Sequence, residues 1–440
     1  MTDESRLRRL RRILERDPEP AAPEPAGRPG DGPDLLHDRI RSLRAEIERV
    51  ASRTRDRPGR REDALRMLGP GEEAGPAVPI PGEMVRGPLG DLWMRERRYE
   101  PGALHGTAEI MAGLGLAGEE AALIALDEGL RSFDMRRSTF LDVETTGLSL
   151  GTGTIAFLVG LGWFADGGFC VRQLFVDRIE NEPAVLGAMI EALGPRPMLV
   201  TFNGKSFDVP VLRSRLTLCR MDADLGGAGH LDLLHASRRL WKRRIGDCSL
   251  DSCERAVLGL EREGDVPGEL IPEIFLEYLQ TGSPGRIPDV FHHNLLDVVS
   301  MAALAGRMSE LVQSRSCGDM DDVVSLAHVR LRHGEREGAE KDFACAAGST
   351  SSDHRIESNL ALAILARRRG EHALAASLLV RVLEDDPDHA AAHLMLAKIH
   401  EHNLKDIPRA LEHARLAEEA EGVEASTRRI ARLNRRLSGP

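Results

Sequence analysis

The chain has 440 residues, of which 42% are hydrophobic and 29% charged, and a formal net charge of −11. That balance excludes a bulk polycation that holds nucleic acid by charge alone, although bound cations or a local basic groove overcome such repulsion within about a Debye length. The length exceeds a single core of about 150 residues, so two or three folded units are expected, and no apolar run approaches the roughly 18 residues of a membrane span.

Residues 1–79 read as partly disordered helices and linkers. The opening MTDESRLRRLRRILERDPEP lacks the apolar core of a signal peptide, so a cytoplasmic protein is expected. A short basic helix over 1–16 leads into the Pro/Gly-rich DPEPAAPEPAGRPGDGPD. Leu36, Ile40, Leu43, Ile47 and Val50 then make a heptad seam, too short for a stable coiled coil and better suited to docking on its own chain. Residues 80–135 form an N-terminal extension packed on the α/β domain that begins at 136, with extended segments in GDLWMRERRYEPGALHG and a helix in EEAALIALDEGL.

Between 136 and 315 the periodicity switches repeatedly. The runs STFLDVE, GTIAFLVGLGWF and GFCVRQLFV suit three antiparallel strands joined by short turns. The helix EPAVLGAMIEAL, the strand PMLVTFNG, the helix VPVLRSRLTLCRM, the strand HLDLLHA and further helices come next. This order is that of a mixed α/β sheet with helices on its faces. The basic cluster SRRLWKRR, 237–244, reads as a solvated helix face or a phosphate contact.

Residues 321–435 are helical and repetitive. The stretches 354–388 and 389–422 align at a step of 35, and Gly334 precedes Gly370 by 36. A period near 34 residues with small residues at helix crossings is the tetratricopeptide signature, and such arrays bind protein or pack on their own chain. The six cysteines offer no disulfide framework and read as small buried hydrophobes.

The candidate chemistry lies in four acids. Residues i and i+2 of a strand share a face, so Asp142 and Glu144 project together from an otherwise apolar strand. Two carboxylates so close raise each other's pKa unless a cation neutralises them, and a hard divalent ion, Mg²⁺ or Mn²⁺, suits oxygen donors. Asp208 follows a strand end in TFNGKSFDVPVL, and Asp297 sits on an apolar helix face in FHHNLLDVVS. Singly, each could equally be a helix cap or a satisfied buried acid.

Together, DVETTG, NGKSFD and HHNLLD resemble the three exonuclease motifs of the DEDD superfamily, ribonuclease H-like nucleases, over roughly residues 138–310. GTGTIAFLVG, HLDLLHASRRLW and HHNLLDVVSMAAL are similar to its bacterial YprB-type branch, whose members can carry C-terminal tetratricopeptide repeats. The resemblance implies a ribonuclease H-like fold in which Asp142, Glu144, Asp208 and Asp297 hold two metal ions. It implies a 3′→5′ exonuclease acting on DNA or RNA. Thr145, Asn203, Lys205 and Phe207 are candidate substrate contacts, with a solvated turn lysine the alternative reading of Lys205 and core packing that of Phe207.

The family's general base is a His five residues before the last acid or a Tyr four before it, which leaves His292 and His293 as candidates. If the helix already includes them, His293 is about 40° from Asp297 around the axis and His292 about 140°. If Asn294 is the N-cap, both lie outside the helix. The family spacing points to His292 and the wheel to His293; His292 is preferred on the family spacing, and both are carried forward. An internal cut by the same fold, and a scaffold with an inactive nuclease domain and a protein partner on the repeats, are the competing functions.

Overall fold

The computed structural model describes residues 78–147, 153–165, 167–195, 197–314 and 319–438. The helix expected at 1–16 and the heptad seam at 36–50 lie outside the described residues. Two compact units are formed, one from 78–238 with 247–313 and the other from 239–246 with 319–438. Among the described residues no helix is long and apolar enough to cross a membrane.

The first unit is built on a seven-stranded sheet. Its strands are β1 (Glu83–Gly87), β2 (Gly90–Tyr99), β5 (Ser138–Thr145), β6 (Ala156–Ala165), β7 (Gly168–Phe175), β8 (Met198–Thr201) and β9 (Gly229–Asp232), while β3 (Leu104–His105) and β4 (Ala108–Glu109) pair separately. The order is β1-β2-β7-β6-β5-β8-β9. β5, β8 and β9 run parallel; every other pairing in the sheet is antiparallel. The expected class, three antiparallel strands followed by alternating helices and strands, is the one observed. β1 and β2 extend the sheet beyond that plan: GDLWMRERRY is extended as expected, but its charged sequence and that of EMVRG do not advertise a place in the main sheet.

Helix α1 (Gly118–Ala125) precedes the central strand, α2 (Glu182–Leu193) leads into β8 and α3 (Asp208–Leu218) connects β8 to β9. HLDLLHA is strand only to Asp232, and α4 (Leu233–Leu240) starts at once. After α5 (Ile271–Thr281), the 27-residue α6 (Ile287–Gln313) crosses β5, β6 and β7. At about 1.5 Å per residue it is roughly 40 Å long. β6 admits it through Gly160 and Gly162, successive residues on one strand face: a Cβ on Gly162 would stand 2.5 Å from Val298 Cγ1.

The second unit is all helical. Pairs α7 (Met320–His333) with α8 (Arg336–Ala346), α9 (Ser352–Arg368) with α10 (His372–Asp385), and α11 (Ala390–Ile399) with α12 (Ile407–Arg415) precede α13 (Val423–Leu437). Each pair turns on a residue with positive φ, Gly334, Gly370 and Lys405, so the third turn uses lysine where the first two use glycine. Small buried residues let paired helices approach, among them Ala327 with Ala339 and Ala363 with Ala375. The result is a helical repeat domain.

Two details depart from the sequence reading. Arg243 and Arg244 of the basic cluster are taken up by carboxylates of the helical unit: Arg243 pairs with Asp321 and with Glu357 at 2.5 Å, and Arg244 with Asp322 at 2.9 Å. These two are neither a solvated face nor open to phosphate, whereas Arg238 and Lys242 of the cluster are exposed. Cys170, Cys219, Cys248 and Cys253 are free thiols, but Cys345 is disulfide-bonded.

Candidate functional site

The site starts from β5. Asp142 and Glu144 share a face of that strand and are half-buried. The parallel ladder between β5 and β8 ends at Phe140↔Val200. Beyond it the Val143 N–H donates to Asp208 Oδ1 at 3.1 Å, so Asp208, in the first turn of α3, takes a place that a strand carbonyl would otherwise fill.

The turn that delivers Asp208 is organised by Asp232, buried at the end of β9. Its Oδ1 accepts the Asn203 N–H at 2.9 Å and its Oδ2 the Lys205 N–H at 3.1 Å. Asn203 holds a left-handed φ of 70°, and Gly204 passes close to Thr201, whose Cβ would lie 2.5 Å from an added methyl. Asn203 and Lys205 are exposed and Phe207 is half-buried as the N-cap residue of α3. Thr145 is buried, and its hydroxyl donates to the Gly147 carbonyl at 2.8 Å. The charge of Lys205 is felt by His230, whose pKa falls to about 4 chiefly through burial.

α6 completes the site. Because the helix begins at Ile287, Asn294 is an interior residue and does not cap it. The reading in which both histidines precede the helix is therefore corrected, and the wheel applies. His293 Nε2 stands 3.6 Å from Asp297 Oδ2 one turn on, whereas His292 is exposed. Glu144, His293 and Asp297 each offer a ligand atom within 4.8 Å of the other two. The structure thus brings Asp142, Glu144, Asp208, Asp297 and His293 together and leaves His292 outside.

Residues 254–265 supply partners that the sequence reading missed. Arg262 donates to Asp297 Oδ1 at 2.5 Å, to Glu254 at 2.5 and 2.7 Å, and to Asp265 Oδ2 at 2.9 Å. Asp265 Oδ2 also meets His293 Nδ1 at 2.8 Å. Glu254 is fully buried and accepts from Ser300, which is 2.6 Å from His105 Nε2. In sequence, EREGD looks like an ordinary charged loop. The only local signal was the density of charge just before the apolar VPGELIP.

The electrostatics are asymmetric. Burial, then the charges of Asp297, Glu144 and Asp208, push the Asp142 carboxyl well above the usual range. Burial, then Asp297 and Asp208, does the same to Glu144. Asp208 is raised to about 7, again mainly by burial, against the stabilising Val143 N–H. Among the described residues no lysine or arginine pairs with any of these three. Burial works against a charge on Asp265, but its contacts with His293 and Arg262 hold it down to about 2. Burial likewise opposes the His293 imidazolium, yet Asp265 and Asp297 outweigh it and raise the pKa above its ordinary value. Several buried acids facing one another without a counter-ion form a donor set suited to a hard divalent cation.

Residues 139–309 match the family model of the RNase_H superfamily. Over 319 residues the chain is 31% identical to an uncharacterized protein, YprB, of Bacillus subtilis strain 168, an alignment covering 70% of this chain and 77% of that one. The aligned region includes more than the sheet unit can supply on its own.

Proposed function

Since the chain belongs to the ribonuclease H superfamily, in the branch of YprB, and carries a nuclease-type domain, we propose that it is a metal-dependent 3′→5′ exonuclease on DNA or RNA. The observation that carries this reading is the convergence of Asp142, Glu144, Asp208 and Asp297 from a strand and two helices, three of them without a lysine or arginine partner among the described residues. These acids would hold two divalent ions, Mg²⁺ or Mn²⁺. When bound, such ions supply Lewis acidity at the phosphate and make water a nucleophile near neutral pH.

The chain's own groups do the rest. His293 takes the proton of the attacking water at Nε2, while Asp265 accepts from Nδ1–H and so fixes the tautomer that leaves Nε2 free. The base must be neutral, and the carboxylates that raise its pKa do so most strongly when no cation offsets them. Arg262 fixes Asp297 by holding the oxygen other than the one nearest His293. Thr145, Asn203, Lys205 and Phe207 are assigned to substrate contact, with exposed Lys205 available to a phosphate. The helical repeats are assigned to a protein partner or to bracing the chain, as such stacks commonly serve.

The test uses the full chain with Mg²⁺ or Mn²⁺ on end-labelled single-stranded and duplex DNA and RNA, with Asp142→Ala as the blank. Stepwise mononucleotide release from the 3′ end, absent in the blank, is expected. One internal cut would replace the exonuclease reading with an endonuclease, and no cleavage with either metal would support a binding scaffold. Potential ligand atoms of His293, Glu144 and Asp297 lie within 4.8 Å of one another, which favours a second role for His293 as a ligand. In that role His293→Ala weakens Mn²⁺ binding itself, whereas loss of a base slows turnover with binding unchanged.

A further inference from the structure

Asp142, Gly160, Gln173 and Arg95 stand opposite one another across β5, β6, β7 and β2, forming one row of the sheet. Three inter-strand spacings make this row about 14 Å wide. Gly160 contributes no side chain to it, and Asn294 from α6 fills the place: a Cβ there would lie 2.4 Å from Asn294 Oδ1 and 2.9 Å from Nδ2. Arg95 Nη1 donates to Gln173 Oε1 at 3.4 Å, Gln173 Nε2 to Asn294 Oδ1 at 2.9 Å, and Asn294 Nδ2 to Asp142 Oδ2 at 2.8 Å.

The direction of this chain is set at its middle. Gln173 Nε2 also donates to the Phe291 carbonyl at 2.7 Å, and a backbone carbonyl can only accept. The Gln173 amide therefore has its nitrogen towards α6, Asn294 must present its oxygen to it, and an N–H is left aimed at Asp142. Both amides are essentially inaccessible, at 0% for Asn294 and 1% for Gln173. Buried amides in an apolar layer are costly unless fully bonded, and apolar residues of similar shape would pack there without that demand.

We propose that Gln173 and Asn294 are positioning residues for Asp142. They hold one carboxylate oxygen with an N–H donor and leave the other facing the acid cluster, so that the acid meets a cation in a single orientation. This rests on Asp142 being a metal ligand. Groups that orient metal ligands from behind typically set affinity by roughly ten- to a hundredfold.

Isothermal titration of Mn²⁺ into the full chain tests it with Asn294→Leu, Gln173→Met, their combination and Asp142→Asn, alongside thermal melting. The expected result is Mn²⁺ affinity lowered roughly ten- to a hundredfold in each positioning variant, with the double variant no worse than Asn294→Leu because both act through one chain. If Asn294→Leu does not fold, Gln173→Met, one link further from the acid, carries the test alone. Wild-type Mn²⁺ affinity in Gln173→Met, with or without a lower melting temperature, overturns the inference, provided Asp142→Asn has lost the ion. Wild-type affinity in Asp142→Asn would instead overturn the functional reading beneath it.

Discussion

In the helical unit Glu357 lies between Arg243 at 2.5 Å and His328 at 2.8 Å, and Glu401 between Arg429 and Arg432, both at 2.7 Å. In the sheet unit Asp142, Glu144 and Asp208 face one another. The consequences are opposite. Despite burial, its basic partners hold Glu357 down to about 2, while burial and like charges drive the three acids of the sheet unit up. The contrast exists even within the sheet unit, where Glu182 and Arg215 form a buried pair at 2.5 and 2.6 Å. A buried acid with its own guanidinium belongs to the architecture, and a group of them without one either holds protons or takes a cation from outside.

Substitutions that break this contrast should differ in kind. The largest effect expected is on activity: Asp142→Ala should lower cleavage on the order of 10⁴-fold, the scale of losing an essential group, with the fold retained by circular dichroism. His293→Ala should cost about 10²–10⁴-fold, as for removal of a general base, and exposed His292→Ala little, in rates measured under saturating Mn²⁺. On stability, Arg215→Met strands Glu182 in the core and should cost about 3–5 kcal/mol in urea unfolding. Glu144→Gln has the opposite sign, a gain on the order of 1 kcal/mol without metal, because it removes a repulsive charge.

The smallest and most diagnostic effect is with pH. An unfolded aspartate titrates near 3.9, and folded Asp208 at about 7. The native state therefore binds the extra proton in that interval, and the metal-free sheet unit should lose stability as pH rises from about 4 to 7. Glu357 runs the other way. Its folded pKa of about 2 lies below the ordinary glutamate value, so its contribution is present above about 4.3 and is lost as pH falls towards 2. Hydrogen exchange followed separately in the two units should show these opposite trends, and Mn²⁺ should remove the first alone.

The acids were legible because local periodicity exposes them. Asp142 and Glu144 share a strand face by spacing alone, and Asp297 interrupts an apolar helix face. Asp208 was visible as an acid between a strand and a helix. The helix wheel placed His293 beside Asp297 only on the condition that α6 had already begun, and its start at Ile287 was hidden by the plausible cap at Asn294. Arg262 and Asp265 were not legible, since they reach His293 and Asp297 across 28 and 35 residues of chain. The Gly160 and Gly162 pair is a readable signal of close helix approach, but glycines in an apolar strand do not say which helix approaches. Nor does the charge alternation of β2 announce a strand within the main sheet.

The most direct test is thermal melting of the full chain and of Asp142→Asn, each metal-free and with Mn²⁺. If the acid cluster is a cation site, the metal-free variant melts above the metal-free wild type, and Mn²⁺ raises the wild type while leaving the variant nearly unchanged. A variant that melts lower than wild type without metal, and gains as much from Mn²⁺, would show that Asp142 is a structural acid and contradict the account.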